Sequence, residues 1–262
     1  MDEDPALAES WRAPSWSLGT VRGGRLDLYD GLLRVIDAEG APRHEVSVEA
    51  YDTLLAERVT RWSYMKGVRI KDGDERPVFR VGPLARVNVA DGLTTPRAQA
   101  AFEAFRRQHG SPCHSTLMQT HARIIELLYA CENAARIASD PALLDEARVE
   151  VRIGAGRGRG HVEAPRGTLF HDYQVDERGI VRHANLLVAT QQNYDLINGA
   201  IAQAAASHVV DLGDEALLDA IEVAIRCFDP CLSCATHAVG RMPLEVVVRR
   251  RGEAIRSIER RS

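Results

Sequence analysis

Apolar side chains recur at helical spacing along much of the chain. Steps of three and four residues, with good helix-forming residues between them, predict helices over residues 96–108, 115–137, 193–207 and 215–227. In the second of these helices the spacing predicts a buried stripe made of Leu117, Ile124, Leu128, Cys131 and Ala135. Asp214 precedes the last helix and is expected to cap it.

Shorter apolar runs between turn residues predict strands. We expect hairpins over residues 31–48 and 173–187, a β-rich region over residues 150–188, and a strand at 244–248. A short helix is expected over residues 48–59, and a strand from Val78 is expected to run into a loop at Gly82-Pro83. The first 24 residues are expected to be irregular. With no internal repeat or low-complexity linker, the fold class is one α+β unit.

Composition places the chain among ordinary globular proteins. It has 262 residues, 45% of them hydrophobic, and a net charge of −4, which provides no electrostatic case for a nucleic-acid partner. No signal peptide is visible in the sequence and no apolar run reaches membrane-spanning length, so neither a leader nor a membrane span is expected. Five cysteines, an odd number, argue against a disulfide framework and predict a cytoplasmic location.

The candidate chemistry lies near the C-terminus. The segment is Asp229-Pro230-Cys231-Leu232-Ser233-Cys234-Ala235-Thr236-His237. Two thiols three residues apart can bind one metal ion, and thiolates select nickel, copper, zinc or iron. By spacing alone the pair is also compatible with half of a zinc site, a thioredoxin-like redox pair or two incidental buried thiols.

The longer string resembles the C-terminal signature of nickel–iron hydrogenase large subunits. D-P-C-x-x-C-x-x-H matches that signature, and the surrounding residues resemble most closely the cytoplasmic, NAD-linked bidirectional group. Three further segments match in family order: residues 62–66, residues 80–86 and the E-A-P-R-G run at residues 163–167. The resemblance covers roughly residues 60–245. It implies the helix-rich large-subunit fold with small antiparallel sheets, present here without its N-terminal half.

The resemblance also implies roles for individual residues. Cys231 matches a terminal nickel ligand, and Cys234 matches a thiolate that bridges nickel to an iron carrying carbon monoxide and cyanide. Arg166 matches an arginine over the open face of the metals, and Asp229 matches a carboxylate beside it. Thr190 matches a hydroxyl that donates a hydrogen bond to a cyanide. His237 and the backbone carbonyl of Leu186 match ligands of a magnesium ion.

These matches describe an enzyme that splits dihydrogen reversibly and heterolytically. A thiolate on nickel can take the proton, and a guanidinium held near the metals stays charged and can polarise dihydrogen. The chain has no iron–sulfur cysteine pattern and no dinucleotide-binding glycine motif. The glycine-rich run from Gly154 to Gly160 is expected to be a flexible loop. Electrons are therefore expected to pass to a small iron–sulfur subunit, then to diaphorase subunits and NAD.

One family signature is missing. The R-x-C-G-x-C segment that supplies the other two nickel-ligating cysteines is absent, and Cys113 and Cys131 are expected to serve packing. We therefore predict no hydrogenase activity for this chain alone. A fragment or misplaced start, a split subunit whose first half is a separate polypeptide, and a remnant all remain open. The alternative function is a non-catalytic scaffold or assembly protein of the same fold.

The resemblance finally predicts how the chain is divided. Residues 1–24 form an N-terminal segment, residues 25–237 the large-subunit domain, and residues 238–262 a C-terminal extension. In the family a maturation endopeptidase removes such an extension just after the histidine. The cut is expected between His237 and Ala238.

Overall fold

The computed structural model describes residues 11–61, 63, 65–144, 150–208, 213–231, 244–250 and 253–260. Within these ranges the chain has the expected α+β fold. The strands are β1 (Trp16–Arg22), β2 (Arg25–Leu26), β3 (Leu32–Ile36), β4 (Pro42–Val46), β5 (Leu55–Arg58), β6 (Gly67–Ile70), β7 (Phe79–Arg80), β8 (Gly156–Ala164), β9 (Gly167–Val175), β10 (Val181–Leu187), β11 (Leu244–Arg250) and β12 (Glu253–Arg260). The α-helices are α1 (Tyr51–Leu54), α2 (Pro83–Val89), α3 (Pro96–His109), α4 (Met118–Ala138), α5 (Ala189–Gln192), α6 (Tyr194–His208) and α7 (Asp214–Cys227).

The largest sheet has the order β2-β1-β3-β4, with β7 pairing β1 in parallel. The hairpin β3–β4 confirms the prediction for residues 31–48. The expectation of an irregular start was wrong from Trp16 onward, because β1 lies inside this sheet and its residues 17–21 are buried. Residues 1–10 lie outside the described residues. Helix α2 covers one face of β1 at Gly19, where a Cβ atom would lie only 2.8 Å from Val89. With both faces covered, β1 lacks the alternation of apolar and polar residues that marks a half-buried strand.

The second sheet has the order β10-β9-β8 and is antiparallel throughout. It confirms the β-rich region and the hairpin over residues 173–187. The expectation of a flexible loop at residues 154–160 was wrong from Gly156 onward, where the chain forms β8. Pairing with β9 stabilises this glycine-rich strand, and Arg157 and Arg159 form ion pairs with the buried carboxylate of Asp172.

Two local predictions failed at the boundary between helix and strand. The helix expected over residues 48–59 ends at Leu54, and β5 follows because residues 55–58 pair with β6. The loop expected after Gly82 is instead helix α2, with Pro83 in its first turn. A proline suits that position because its missing N–H has no helical partner there. All seven residues of α2 are buried, including Arg86.

Helices α3, α4, α6 and α7 confirm the four helices predicted from apolar spacing. The predicted buried stripe of α4 was partly wrong. Leu117 and Leu128 pack against the core, but Ile124 is 57% exposed and Cys131 is also exposed. The face that is buried consists of Met118, Gln119, Ala122, Ile125, Glu126 and Tyr129. Because Gln119 and Glu126 are polar, the spacing of apolar residues did not predict that this face is buried. Asp214 lies in the first turn of α7 rather than at the cap, which is Gly213.

The described part of the chain has a core of four apolar clusters. One lies between the large sheet and helices α2–α4, and a second lies between that sheet and the β8–β10 sheet. The third joins α6 to α7, and in the fourth Ile258 of β12 packs against α7. The strand expected at residues 244–248 is thus one half of a hairpin. No helix among the described residues is long and apolar enough to cross a membrane.

Candidate functional site

Arg166 lies in the tight turn between β8 and β9. Ala164 pairs with Gly167 across the hairpin, so Pro165 and Arg166 alone make the connection. Gly167 has a φ of +138°, and a Cβ atom there would lie 2.8 Å from the backbone nitrogen of Gly82. A side chain at this position would displace one of the two segments. The turn therefore packs directly on the segment that leads into α2.

Arg166 meets Asp229 just after the end of α7. Its Nε lies 2.5 Å from the carbonyl oxygen of Asp229 and 3.2 Å from Oδ2 of the same residue. Asp229 has a φ of +48°, in the left-handed region that aspartate tolerates better than most residues. This conformation turns the chain away from α7 before Pro230. The guanidinium and the carboxylate are each about half exposed.

Cys231 follows two residues later and lies against α5. Its backbone N–H donates to Oγ1 of Thr190 over 3.1 Å, and Thr190 is only 7% exposed. A hydroxyl that accepts through oxygen still has its own proton to donate. The hydrogen bond thus ties the motif to α5 and leaves the Thr190 proton for another acceptor.

A cavity of about 150 Å³ lies between these segments. Its lining comes from the β8–β9 turn, the start of α5 and Cys231, with Ala164, Pro165, Arg166, Gly167, Leu169, Val188, Ala189, Thr190 and Cys231 contributing. The structure therefore brings Arg166, Thr190 and Cys231 together around one space, with Asp229 bound to Arg166.

Other predicted residues are not part of this lining. Cys234 and His237 lie outside the described residues. Leu186 is paired with His171 in the β9–β10 hairpin and is 42% exposed. It does not line the cavity that Cys231 lines. Of the remaining thiols, Cys113 and Cys227 are buried, as packing cysteines are, whereas the packing role expected for Cys131 is wrong because it is exposed.

A buried charge network that the sequence did not predict lies behind the turn. Arg86 of α2 binds Glu126 of α4 and Glu163 of β8, and the Arg86 side chain is 2% exposed. Burial lowers the pKa of Arg86, but the two carboxylates outweigh it and hold the pKa above its ordinary value. Burial raises the pKa of Glu126, although Arg86 opposes the shift. The only sequence signal was that Arg86 and Glu163 lie inside two of the matching segments.

The donor set suits part of a metal centre. Cys231 forms a disulfide bond in this structure, so it would offer a soft thiolate ligand only after reduction. The cavity exceeds the roughly 30 Å³ that one water occupies, so it has room for a metal with small ligands. The described residues contain no group of three or more His, Cys, Asp or Glu side chains that could hold a metal. The site therefore fits one side of a thiolate-bound centre.

Comparison with known proteins decides the family. Residues 33–237 match the family described as nickel-dependent hydrogenase. The chain belongs to this family. The structure supports the assignment, with a TM-score of 0.82 and 41% identity to an NAD⁺-reducing [NiFe]-hydrogenase crystallised in its H₂-reduced state. That match covers 89% of this chain and 53% of the other.

Two curated members show where the chain lies within the nickel-dependent hydrogenases. It is 44% identical to the beta subunit of the NAD-reducing hydrogenase HoxS of Cupriavidus necator, over 85% of this chain and 47% of that protein. It is 35% identical to one subunit of the F420-non-reducing hydrogenase vhc of Methanococcus voltae, over 93% of this chain and 53% of that protein. The resemblance to the NAD-linked group is confirmed. The chain spans about half the length of these relatives.

Proposed function

We propose that this chain forms part of the large subunit of a nickel–iron hydrogenase and contributes one side of the metal centre, for reversible heterolytic splitting of dihydrogen. The observation that carries the proposal is the convergence of Cys231, Thr190 and the Arg166–Asp229 pair on one cavity. These residues lie on three separate segments. Family membership supplies the chemistry that the cavity would serve.

The proposed ligands follow the motif. Cys231 would be a terminal nickel ligand and Cys234 the thiolate shared by nickel and an iron that carries carbon monoxide and cyanide. The Thr190 hydroxyl, which already accepts from Cys231, would donate its proton to a cyanide nitrogen. His237 and the carbonyl of Leu186 would bind magnesium. The position of Leu186 outside the cavity lining is compatible with a separate magnesium site.

A bound nickel–iron centre would supply the place where dihydrogen is held and its electrons are removed. The thiolate of Cys231 would accept the released proton at Sγ. Arg166 would keep a fixed positive charge at the cavity wall, since a guanidinium does not lose its proton at working pH. Asp229 would orient that guanidinium through Nε, in a charge-assisted pair. In this scheme the charges of Arg166 and Asp229 would already be in position before dihydrogen is split, so they would not have to reorganise during the reaction.

The other components would come from partners. A polypeptide carrying the R-x-C-G-x-C segment would complete the ligand set, and a small iron–sulfur subunit would take the electrons. The likeness to an NAD-reducing hydrogenase subunit supports diaphorase subunits and NAD at the end of that route.

Maturation would remove residues 238–262. The described part of this extension is the β11–β12 hairpin, whose Ile258 packs on α7 at Leu217, Leu218 and Ile221. An endopeptidase cut between His237 and Ala238 would release a hairpin that is docked on the body of the protein. Intact mass of the protein from its native host tests this: the cut form ends at His237, and a mature, nickel-loaded form ending at Ser262 would exclude the cut.

The test of the proposed function is metal content with activity. The chain is purified from its native host with all co-purifying polypeptides, and nickel, iron and hydrogen-dependent dye reduction are measured. We expect near-stoichiometric nickel, which Cys231→Ser removes and which Cys131→Ser, at an exposed thiol outside the cavity lining, retains. Absence of nickel from the wild-type complex would contradict the proposal and favour a non-catalytic scaffold.

A further inference from the structure

Arg86 is an almost fully buried arginine whose guanidinium binds four groups at once. Nε and Nη2 donate to the two carboxylate oxygens of Glu126 over 2.5 and 2.6 Å. Nη1 donates to Glu163 Oε2 and to the carbonyl of Ala164, each over 2.8 Å. Nη2 also donates to the carbonyl of Pro165 over 3.2 Å. Every nitrogen of the planar fork is therefore used.

The two carbonyls bound by Arg86 belong to the residues directly before Arg166. Glu163 precedes them, and its other oxygen accepts from the backbone N–H and hydroxyl of Thr20 and from the hydroxyl of Thr168. The side chain of Glu163 is fully buried. One side of the β8–β9 turn is thus anchored at consecutive residues, first through a carboxylate and then through two backbone oxygens.

The same helix holds the turn at a second point. Gly82 precedes α2, and a Cβ atom at Gly82 would lie 2.6 Å from the carbonyl oxygen of Arg166. Arg86 lies one helical turn further along, and its N–H donates to the carbonyl of Gly82 over 2.9 Å. The beginning of α2 therefore contacts the turn on both sides of Pro165.

We propose that Arg86 is the positioning residue for Arg166: by binding the Ala164 and Pro165 carbonyls it determines where Arg166 leaves the turn and meets Asp229. The inference rests on the proposed function, because it assigns a role to Arg86 only through a catalytic Arg166. Lysine cannot replace Arg86, since an ammonium has three donors around one nitrogen and cannot span five acceptor oxygens. A displacement of about 1 Å at a catalytic group can cost about 100-fold in rate.

The first experiment is a double-mutant cycle in the holoenzyme with its partner subunits. Arg86→Lys, Arg166→Lys and the double variant are compared by kcat and nickel content. We expect Arg86→Lys to lower kcat about 10- to 100-fold with nickel retained. In the Arg166→Lys background the same change should cost less than about threefold, because residues that act through one another are not additive. Additive effects would assign Arg86 a merely structural role and overturn the inference.

Arg34→Lys is the matched control. Arg34 also binds two carboxylates and one backbone carbonyl, those of Glu45, Asp91 and Val89, but these lie away from the turn. The Arg34→Lys variant should have a kcat within about twofold of the wild-type value, because a substitution remote from the site does not couple to it. A loss equal to that of Arg86→Lys would contradict the specific role of Arg86.

A second readout does not depend on activity. The Nε–Hε resonance of Arg166, identified by its loss in Arg166→Lys, reports the contact with Asp229 in the isolated chain. We expect hydrogen exchange at this Nε to speed up about tenfold or more in Arg86→Lys and to stay unchanged in Arg34→Lys. Unchanged exchange in Arg86→Lys would overturn the inference. If the wild-type complex lacks nickel, the proposed function fails, and this exchange rate still decides whether Arg86 positions Arg166.

Discussion

Gly82→Ala tests the close packing on which the site depends. Gly82 has φ +98° and ψ −165°, a backbone conformation that is essentially restricted to glycine and costs about 1–3 kcal/mol for other residues. The new Cβ atom would also lie 2.6 Å from the carbonyl oxygen of Arg166 and 3.2 Å from its carbon. Relief requires a backbone shift of the kind that costs about 1–3 kcal/mol in overpacked cores. The expected loss of unfolding free energy is about 2–6 kcal/mol in all.

Gly110→Ala separates the two contributions. Gly110 has φ +79° and ψ 177°, so its backbone conformation is of the same class. Nothing lies within 4 Å of a Cβ atom built there. This variant should show the conformational cost alone, about 1–3 kcal/mol. The difference between the two variants measures the contact between Gly82 and the Arg166 turn.

The assay is urea unfolding of the chain followed by circular dichroism. Midpoints and slopes are compared at one pH, and a common slope is required so that the midpoints report stability. Gly82→Ala should unfold at a clearly lower urea concentration than Gly110→Ala. If the two variants unfold at the same urea concentration, the turn does not pack on Gly82 and does not lie against the start of α2.

Substitutions at Asp172, Thr190 and Ile258 test three other buried contacts. Arg157 lowers the pKa of Asp172 well below its ordinary value, so ionised Asp172 should stabilise the fold above about pH 4 and lose this effect as the pH falls. Asp172→Asn should therefore cost about 3 kcal/mol at pH 7 and progressively less in urea titrations carried towards pH 3. Thr190→Val removes the acceptor for the Cys231 N–H and should cost about 1–3 kcal/mol by thermal unfolding; no loss would show that this N–H has another partner. Ile258→Ala in the C-terminal hairpin should cost about 2–4 kcal/mol in the uncut chain. Melting curves of the two uncut chains measure this loss, and equal melting temperatures would show that Ile258 does not pack on α7.

Helix α4 illustrates why apolar spacing alone was insufficient. The spacing correctly predicted a helix, but it assigned Ile124 and Cys131 to the buried face, and both are exposed. The buried face carries Gln119 and Glu126, because Glu126 pairs with Arg86. A buried carboxylate can be recognised only when its partner is known, and this partner lies forty residues away in sequence.

Strands were predicted well where one hairpin contained both partners. The hairpins β3–β4 and β9–β10 have their turn residues and both strands within a short window, so local sequence was enough. Strand β1 was missed because it is covered on both faces. Within the predicted β-rich region, the glycine-rich start of β8 was taken for a loop, because pairing with β9 outweighs its weak local preference.

The sequence by itself determined the family, the α+β class and the candidate residues, because motif spacing and turn chemistry are local properties of the chain. In the sequence each candidate residue matched the family independently of the others: Cys231, Arg166, Asp229 and Thr190. Only the tertiary structure decided that these residues surround one cavity, and that α2 holds the turn carrying Arg166. The physical reason is that these contacts join segments far apart in the chain, and their geometry depends on how the sheets and helices pack.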